Sequence, residues 1–288
     1  MAAIGIVAAG ILADTWVPGI PLGAVPESWS PPPGVFSAVL ELPLGGTGDD
    51  VTAMYHTLRH HLPTINGYSG YAPPHYTALH IALEERDVTA LDGLAARGPL
   101  LVAADSSRNG DWPGFVRRLP GATPLGERGP WMFFSIPRGN ATPDSCVATT
   151  IPIVSASDNR GAVRVSTITD GNTATLWTLE RPQHAGDQLT IDLGHAASPC
   201  EAVLHEDVST NYPRALTVAT SLDGRAWTPS FSGRTGGLAV SGALTSPRSP
   251  TLAIRLASTP ARYIRFQLER TLERDWWIVT ELAISGRP

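Results

Sequence analysis

The sequence contains no lysine; every one of its 21 basic residues is arginine. Charged residues make up only 16% of the chain, and the formal net charge is −5. No basic cluster stands out, which argues against nucleic acid as a partner and against strong charge-driven attraction to an anionic membrane. Without lysine the glycine-rich stretch Gly45-Gly46-Thr47-Gly48 cannot be a phosphate-gripping loop, because no Gly-Lys-Ser/Thr follows it. Catalytic signatures are missing too. There is no Gly-x-Ser-x-Gly elbow and no His-Glu-x-x-His. The acidic pairs Asp49-Asp50 and Glu84-Glu85 read as solvated helix faces, and no activated nucleophile is paired with a base. Long apolar runs are also lacking. Ala2 to Ala13, ended by Asp14, is too short for the ~20 residues that a bilayer span needs.

That apolar run has no basic segment before it, and Asp14-Thr-Trp16 is a poor cleavage site for a secretory signal. It reads as a buried strand or helix, as a poor signal sequence, or as the last turns of a membrane helix that starts upstream. Trp16 behind it suits an interfacial anchor, which favours the third reading.

What is abundant is glycine (28) and proline (26), as in short strands joined by many turns. Pro18 to Gly34 reads as an extended connector. From 35 to 138 the chain predicts a small α/β domain: strands near Val35–Leu42, Pro99–Ala104 and Trp131–Ile136, with helices between them and a mostly parallel sheet. The helix after Leu44 is expected to start at a Thr47 or Asp49 cap and to run to about His61. The loop Leu62 to Pro74, with Asn66, Ser69 and two tyrosines, is either a polar, aromatic pocket or a packed surface loop. His60 and His61 are adjacent on the helix and point different ways, which argues against a metal there. Residues 139–150 form a linker. From 151 to 288 short β-prone runs predict an antiparallel sandwich.

The two cysteines, Cys146 and Cys200, allow a disulfide made outside the cytoplasm or two free, buried thiols. The densest chemistry lies in Ser166-Thr-Ile-Thr-Asp-Gly-Asn-Thr-Ala-Thr-Leu-Trp177. Asp170, Asn172 and Thr175 crowd around Gly171, and such oxygen ligands suit a hard cation such as calcium. Glu281 adds a distant carboxylate. A tight turn closed by hydrogen bonds is the alternative.

That turn is followed by Gln188-Leu-Thr-Ile-Asp-Leu-Gly194, by Tyr212-Pro-Arg-Ala-Leu-Thr-Val-Ala-Thr-Ser-Leu-Asp-Gly-Arg-Ala-Trp227, by Ala261-Arg-Tyr-Ile-Arg-Phe266 and by Trp276-Trp277-Ile-Val-Thr-Glu-Leu282. In this order the motifs resemble the discoidin family, the coagulation factor 5/8 C-terminal type within the galactose-binding-like group, over Cys146 to Pro288. The resemblance implies an all-β jelly-roll sandwich. It implies a structural calcium site at Asp170, Asn172, Thr175 and Glu281, completed by the carbonyls of Thr167 and Thr280. It places a carbohydrate on loops at one end, with Trp177, Arg181, His184, Asn211, Tyr212, Arg274 and Trp276 as candidate contacts. Trp177 and Tyr212 also fit the family's core.

The first half carries Leu42-Pro43-Leu44, Met54-Tyr55, His60 to Pro63, and Asn66-Gly-Tyr-Ser-Gly70 with Pro73-Pro74. These words, in order, resemble the soluble tail of C-type polytopic membrane glycosyltransferases. The resemblance implies a non-catalytic, extracytoplasmic region, membrane-associated through an upstream or N-terminal segment, that holds carbohydrate for an active site elsewhere. A secreted or anchored adhesion module binding protein or glycan is the alternative.

Overall fold

A computed structural model describes residues 24–139, Cys146 and 149–287, together with Gly5, Val7, Gly10 and Ile11. Most of the apolar N-terminal run, residues 18–23 of the connector and most of the linker lie outside the described residues. The first half contains β1 (Ala38–Leu42), α1 (Thr47–His60), α2 (Pro74–Glu84), α3 (Asp92–Ala95), β2 (Leu100–Asp105), α4 (Trp112–Arg117), β3 (Thr123–Arg128) and β4 (Trp131–Ile136). Its sheet has the order β1-β2-β4-β3.

Only β1 and β2 run parallel; β2–β4 and β3–β4 are antiparallel. The sheet is therefore mixed, not mostly parallel. The strand that sequence missed is β3, Thr-Pro-Leu-Gly-Glu-Arg, an exposed edge strand. Its proline and glycine hide it from β propensity, and only an edge tolerates them. A left-handed Gly129 closes the β3–β4 hairpin. Neither Thr47 nor Asp49 caps α1; Gly46 occupies the cap position without a side-chain bond.

The second half contains β5 (Thr149–Thr150), β6 (Ser155–Asp158), β7 (Gly161–Val163), a 3-10 turn (Val165–Ile168), β8 (Trp177–Pro182), β9 (Gln188–His205), β10 (Ala215–Ser221), β11 (Thr228–Arg234), α5 (Gly236–Thr245), β12 (Thr251–Arg255), β13 (Ala261–Leu268), β14 (Trp276–Val279) and β15 (Glu281–Arg287). Strand β9 is long enough to serve two sheets. Its first residues pair with β6 and β13, and its last with β12 and β15. Every ladder here is antiparallel. Alternate residues point inward, so Leu189, Ile191, Ala202 and Leu204 of β9 meet Val218, Phe266, Ile254 and Ile284 in the core.

The two halves share one buried apolar cluster. Helix α5, carried by the sandwich, lies against α2 and α3 of the first half. Its first amides are satisfied from across the boundary: Gly236 N donates to Asp87 Oδ2 at 2.9 Å and Gly237 N to Thr89 Oγ1 at 3.0 Å. A Cβ on Gly237 would lie 2.2 Å from the Thr89 carbonyl oxygen, so this close approach requires glycine. Among the described residues no helix is long and apolar enough to cross a membrane.

Candidate functional site

The loops at one end of the sandwich are tied together by a residue that sequence reasoning passed over. Gln183 follows β8 and is buried. Its Nε2 donates to Tyr212 O at 2.8 Å and to Trp276 O at 3.0 Å. Its Oε1 accepts from Arg214 N at 3.3 Å, and its backbone exchanges bonds with Asp275 and Leu272. One amide side chain thus fixes the loops carrying residues 183–187, 207–212 and 270–276. A glutamine has both donors and an acceptor, which is what three converging backbones need.

Arg214 is the second hub, and its side chain is 1% exposed. It donates to Tyr212 O (2.8 Å), Thr210 O (2.9 Å), Asp275 Oδ2 (2.6 Å) and Glu85 Oε1 (3.1 Å). Its guanidinium carbon lies 4.1 Å from the centroid of the Tyr212 ring. Glu85 also accepts from Arg234 and Arg270. The first half therefore supplies a carboxylate to three arginines of the sandwich. A buried arginine in a loop gives no sequence signal, because nothing local distinguishes it from a surface one.

The expected ligand residues separate into two groups. Trp177 and Tyr212 are buried, so the structure gives them to the core rather than to a ligand. Trp177 stands edge-on to Trp277, with ring centroids 4.8 Å apart, and donates from Nε1 to Asp158 Oδ2 at 2.9 Å. Burial pushes the Tyr212 hydroxyl far above its usual range. The others line the outside of the same end. Trp276 is 38% exposed and pairs with Pro182, next to Arg181. Arg181 donates to the buried carboxylate of Asp187, which also accepts from His184 N at 3.1 Å. His184 and Arg274 are exposed, and half-buried Asn211 donates to Asp207 at 2.9 Å. The arrangement offers an aromatic face beside planar hydrogen-bonding groups.

Part of the expected cation set, Asp170, Asn172, Thr175 and Glu281, is brought together across a long stretch of chain. The Asp170 carboxylate accepts from Asn172 N at 2.9 Å and from the Thr175 hydroxyl at 2.9 and 3.0 Å. The Asn172 amide, then the Thr175 hydroxyl and Glu281, hold Asp170 below the usual carboxylate range. Glu281, on β15, reaches this carboxylate, and its own Oε1 is buried without a hydrogen-bond partner. Two abutting carboxylates and an orphaned oxygen fit a bound cation. Thr280 is fully buried and donates from N and Oγ1 to His205 O, while the Thr167 hydroxyl bonds Arg164 O. Among the described residues no three acidic, histidine or cysteine side chains are placed to share a metal, so amide, hydroxyl and carbonyl oxygens must complete any shell. The cysteines form a disulfide, Cys146–Cys200, with Cα atoms 5.9 Å apart.

Residues 153–282 match the family model of the F5/8 type C domain. This segment is similar to the F5/8 type C domain. The match does not extend into the first half, and no curated protein matches the chain. Several solved structures are similar to it. A truncated AlyQ with CBM32 and alginate lyase domains aligns at 21% identity and a TM-score of 0.38, over 50% of this chain and 35% of that one. The chain thus spans about a third of that protein. A chitosan-binding module from a Paenibacillus sp. IK-5 chitosanase/glucanase aligns at 17% identity and 0.36, over 48% of this chain and 99% of that one. CBM32-3 from a Clostridium perfringens family 31 glycoside hydrolase aligns at 22% and 0.34, over 48% and 90%. Likenesses this weak assign no ligand. In this sandwich, Gln183 and Arg214 bond the loops of one end to one another, and Glu281 of the last strand acts on the Asp170 carboxylate.

Proposed function

We propose that this chain is a non-catalytic, extracytoplasmic carbohydrate-binding region whose sugar site is the loop end of the F5/8 type C-like sandwich. The observation that carries the reading is the exposed Trp276 face on loops fixed by Gln183, with Arg181, His184 and Arg274 around it. A sugar needs an aromatic surface for its apolar side and planar polar groups for its hydroxyls. Loops that are already ordered lose little entropy on binding. The disulfide suits an oxidising compartment.

The ordered motif words of the first half support a finer reading, in which the chain is the soluble tail of a membrane glycosyltransferase. It would hold the glycan acceptor near the membrane active site and so raise its local concentration. Calcium at Asp170, Asn172, Thr175 and Glu281, with the Thr167 and Thr280 carbonyls, would staple the first loop to β15 and do no chemistry.

A glycan array on the full chain, followed by calorimetry on the best hit, tests the site. Trp276→Ala is expected to weaken binding by roughly tenfold or more, about 1.4 kcal/mol. An array without hits would remove the carbohydrate reading. A hit whose affinity survives Trp276→Ala, Arg181→Ala and His184→Ala would move the sugar elsewhere. Native protein in membranes with a mass well above 30.5 kDa supports the tail reading, while a released band near that mass supports an adhesion module.

A further inference from the structure

Helix α1 is amphipathic in the wrong sense for a helix facing water. Its buried residues are Asp50, Ala53, His56 and His60, three of them ionisable. Its exposed face carries Val51, Met54, Tyr55 and Leu58, the spacing of a single helical stripe. Much of the inward polar side is paired within the fold, although His56 Nε2 and His60 Nε2 are buried without a hydrogen-bond partner. His56 Nδ1 donates to Glu41 Oε2 at 2.8 Å, and Asp50 accepts from Asn66 Nδ2 at 3.1 Å and from the Tyr76 hydroxyl. The outward apolar side has no such account.

The stripe continues into the next loop. Tyr68 N donates to Met54 Sδ at 3.2 Å, which lays this loop on the helix, and both Tyr68 and Tyr71 are exposed. The helix thus carries four exposed large apolar or aromatic side chains, and the loop laid against it carries two exposed tyrosines. Soluble proteins keep such contiguous patches small unless something covers them.

The local charge says what covers it. From Val51 to Leu83 the chain has no acidic residue, although the whole chain is net negative. Arg59 and His61 are exposed at the C-terminal end of the stripe. Asp49, before it, is paired with Arg108. Tyrosine, leucine, methionine and valine beside arginine, without carboxylates, is the composition of a surface lying in the headgroup region of a bilayer. Trp29 stacks on His60, the last residue of α1, with ring centroids 4.9 Å apart, which places an aromatic ring at this end of the helix.

We propose that the α1 stripe with Tyr68 and Tyr71 is a bilayer-docking surface that seats on anionic lipid and holds the sandwich at a fixed orientation to the membrane. Apolar insertion supplies most of the binding, and Arg59 adds a preference for anionic headgroups.

The test is co-sedimentation of the full chain with vesicles of phosphatidylcholine and phosphatidylglycerol at 3:1. Val51→Ser/Leu58→Ser, at two exposed positions, is expected to lower partitioning by roughly tenfold or more. Val35→Ser, at an exposed site elsewhere, is expected to leave it unchanged. Pure phosphatidylcholine vesicles are expected to bind less. Wild-type protein that does not sediment overturns the proposal. So does undiminished binding of the double variant, which would give the interaction to the upstream apolar run. A dimer in velocity sedimentation that the double variant abolishes, without vesicle binding, would assign the face to a second copy of the chain. A nitrobenzoxadiazole label on Leu58→Cys provides a readout independent of the double variant's folding. Its emission should shift to the blue on these vesicles, and an unchanged spectrum refutes insertion.

Discussion

Replacing Glu85 by glutamine tests whether the two halves unfold together. The substitution keeps the side-chain shape and removes the charge on which Arg214, Arg234 and Arg270 converge. Breaking a fully buried ion pair costs about 3–5 kcal/mol. Glu85 is 21% exposed, and Arg214 keeps Asp275 and two carbonyls, so roughly half of that, about 2 kcal/mol, is expected. Arg270 is more than a third exposed and receives no credit. With a urea m-value of about 3 kcal/mol/M, the midpoint should fall by about 0.7 M. Urea titrations read by tryptophan fluorescence and far-ultraviolet circular dichroism should show one coincident transition, lowered in the variant. A cycle with Arg214→Met should give a coupling above about 1 kcal/mol. A midpoint shift below about 0.2 M, additive effects in the cycle, or two resolved transitions would refute the reasoning.

The Cys146–Cys200 bridge closes a separation of 54 residues, so reducing it should cost up to about 4 kcal/mol by the loop-entropy relation, measured by denaturation with and without reductant. Burial, then the neighbouring His56 and His61, lowers the His60 pKa to about 4. A depressed histidine binds protons more weakly in the folded state, so stability is full above about pH 6.5 and falls as the pH drops toward 4, by up to about 3 kcal/mol. His60→Gln should flatten that part of the pH–stability curve. Calcium should raise the melting midpoint and chelator should lower it, and Glu281→Gln should shrink the difference; equal midpoints in the wild type would remove the cation.

The sandwich was legible because its signals are local. Alternation in Gln188–Leu193 and Leu216–Thr220 sets strand faces, and Asp170-Gly171-Asn172 can only be a tight turn, since Gly171 takes the left-handed conformation. The same locality shows that Asp170, Asn172 and Thr175 stand together, because one turn holds them. Sequence left Trp177 open between core and ligand and gave no exposure for Trp276. Both are tryptophans in similar surroundings, and only the packing of β8 against β14 puts one outside and the other against Trp277. Nor could it find Gln183, Arg214 or Glu85, whose partners on other elements lie up to 185 residues away. Helix α1 has the same history. Its heptad contains both a polar and an apolar stripe, and periodicity alone does not say which faces inward. The carboxylate of Glu41, delivered by a neighbouring strand, turns the histidines toward the core and leaves the apolar residues outside. Sequence determined where the elements form, because backbone preference and side-chain period act over a few residues. Tertiary structure decided which faces are exposed, because burial depends on the partner that each face meets.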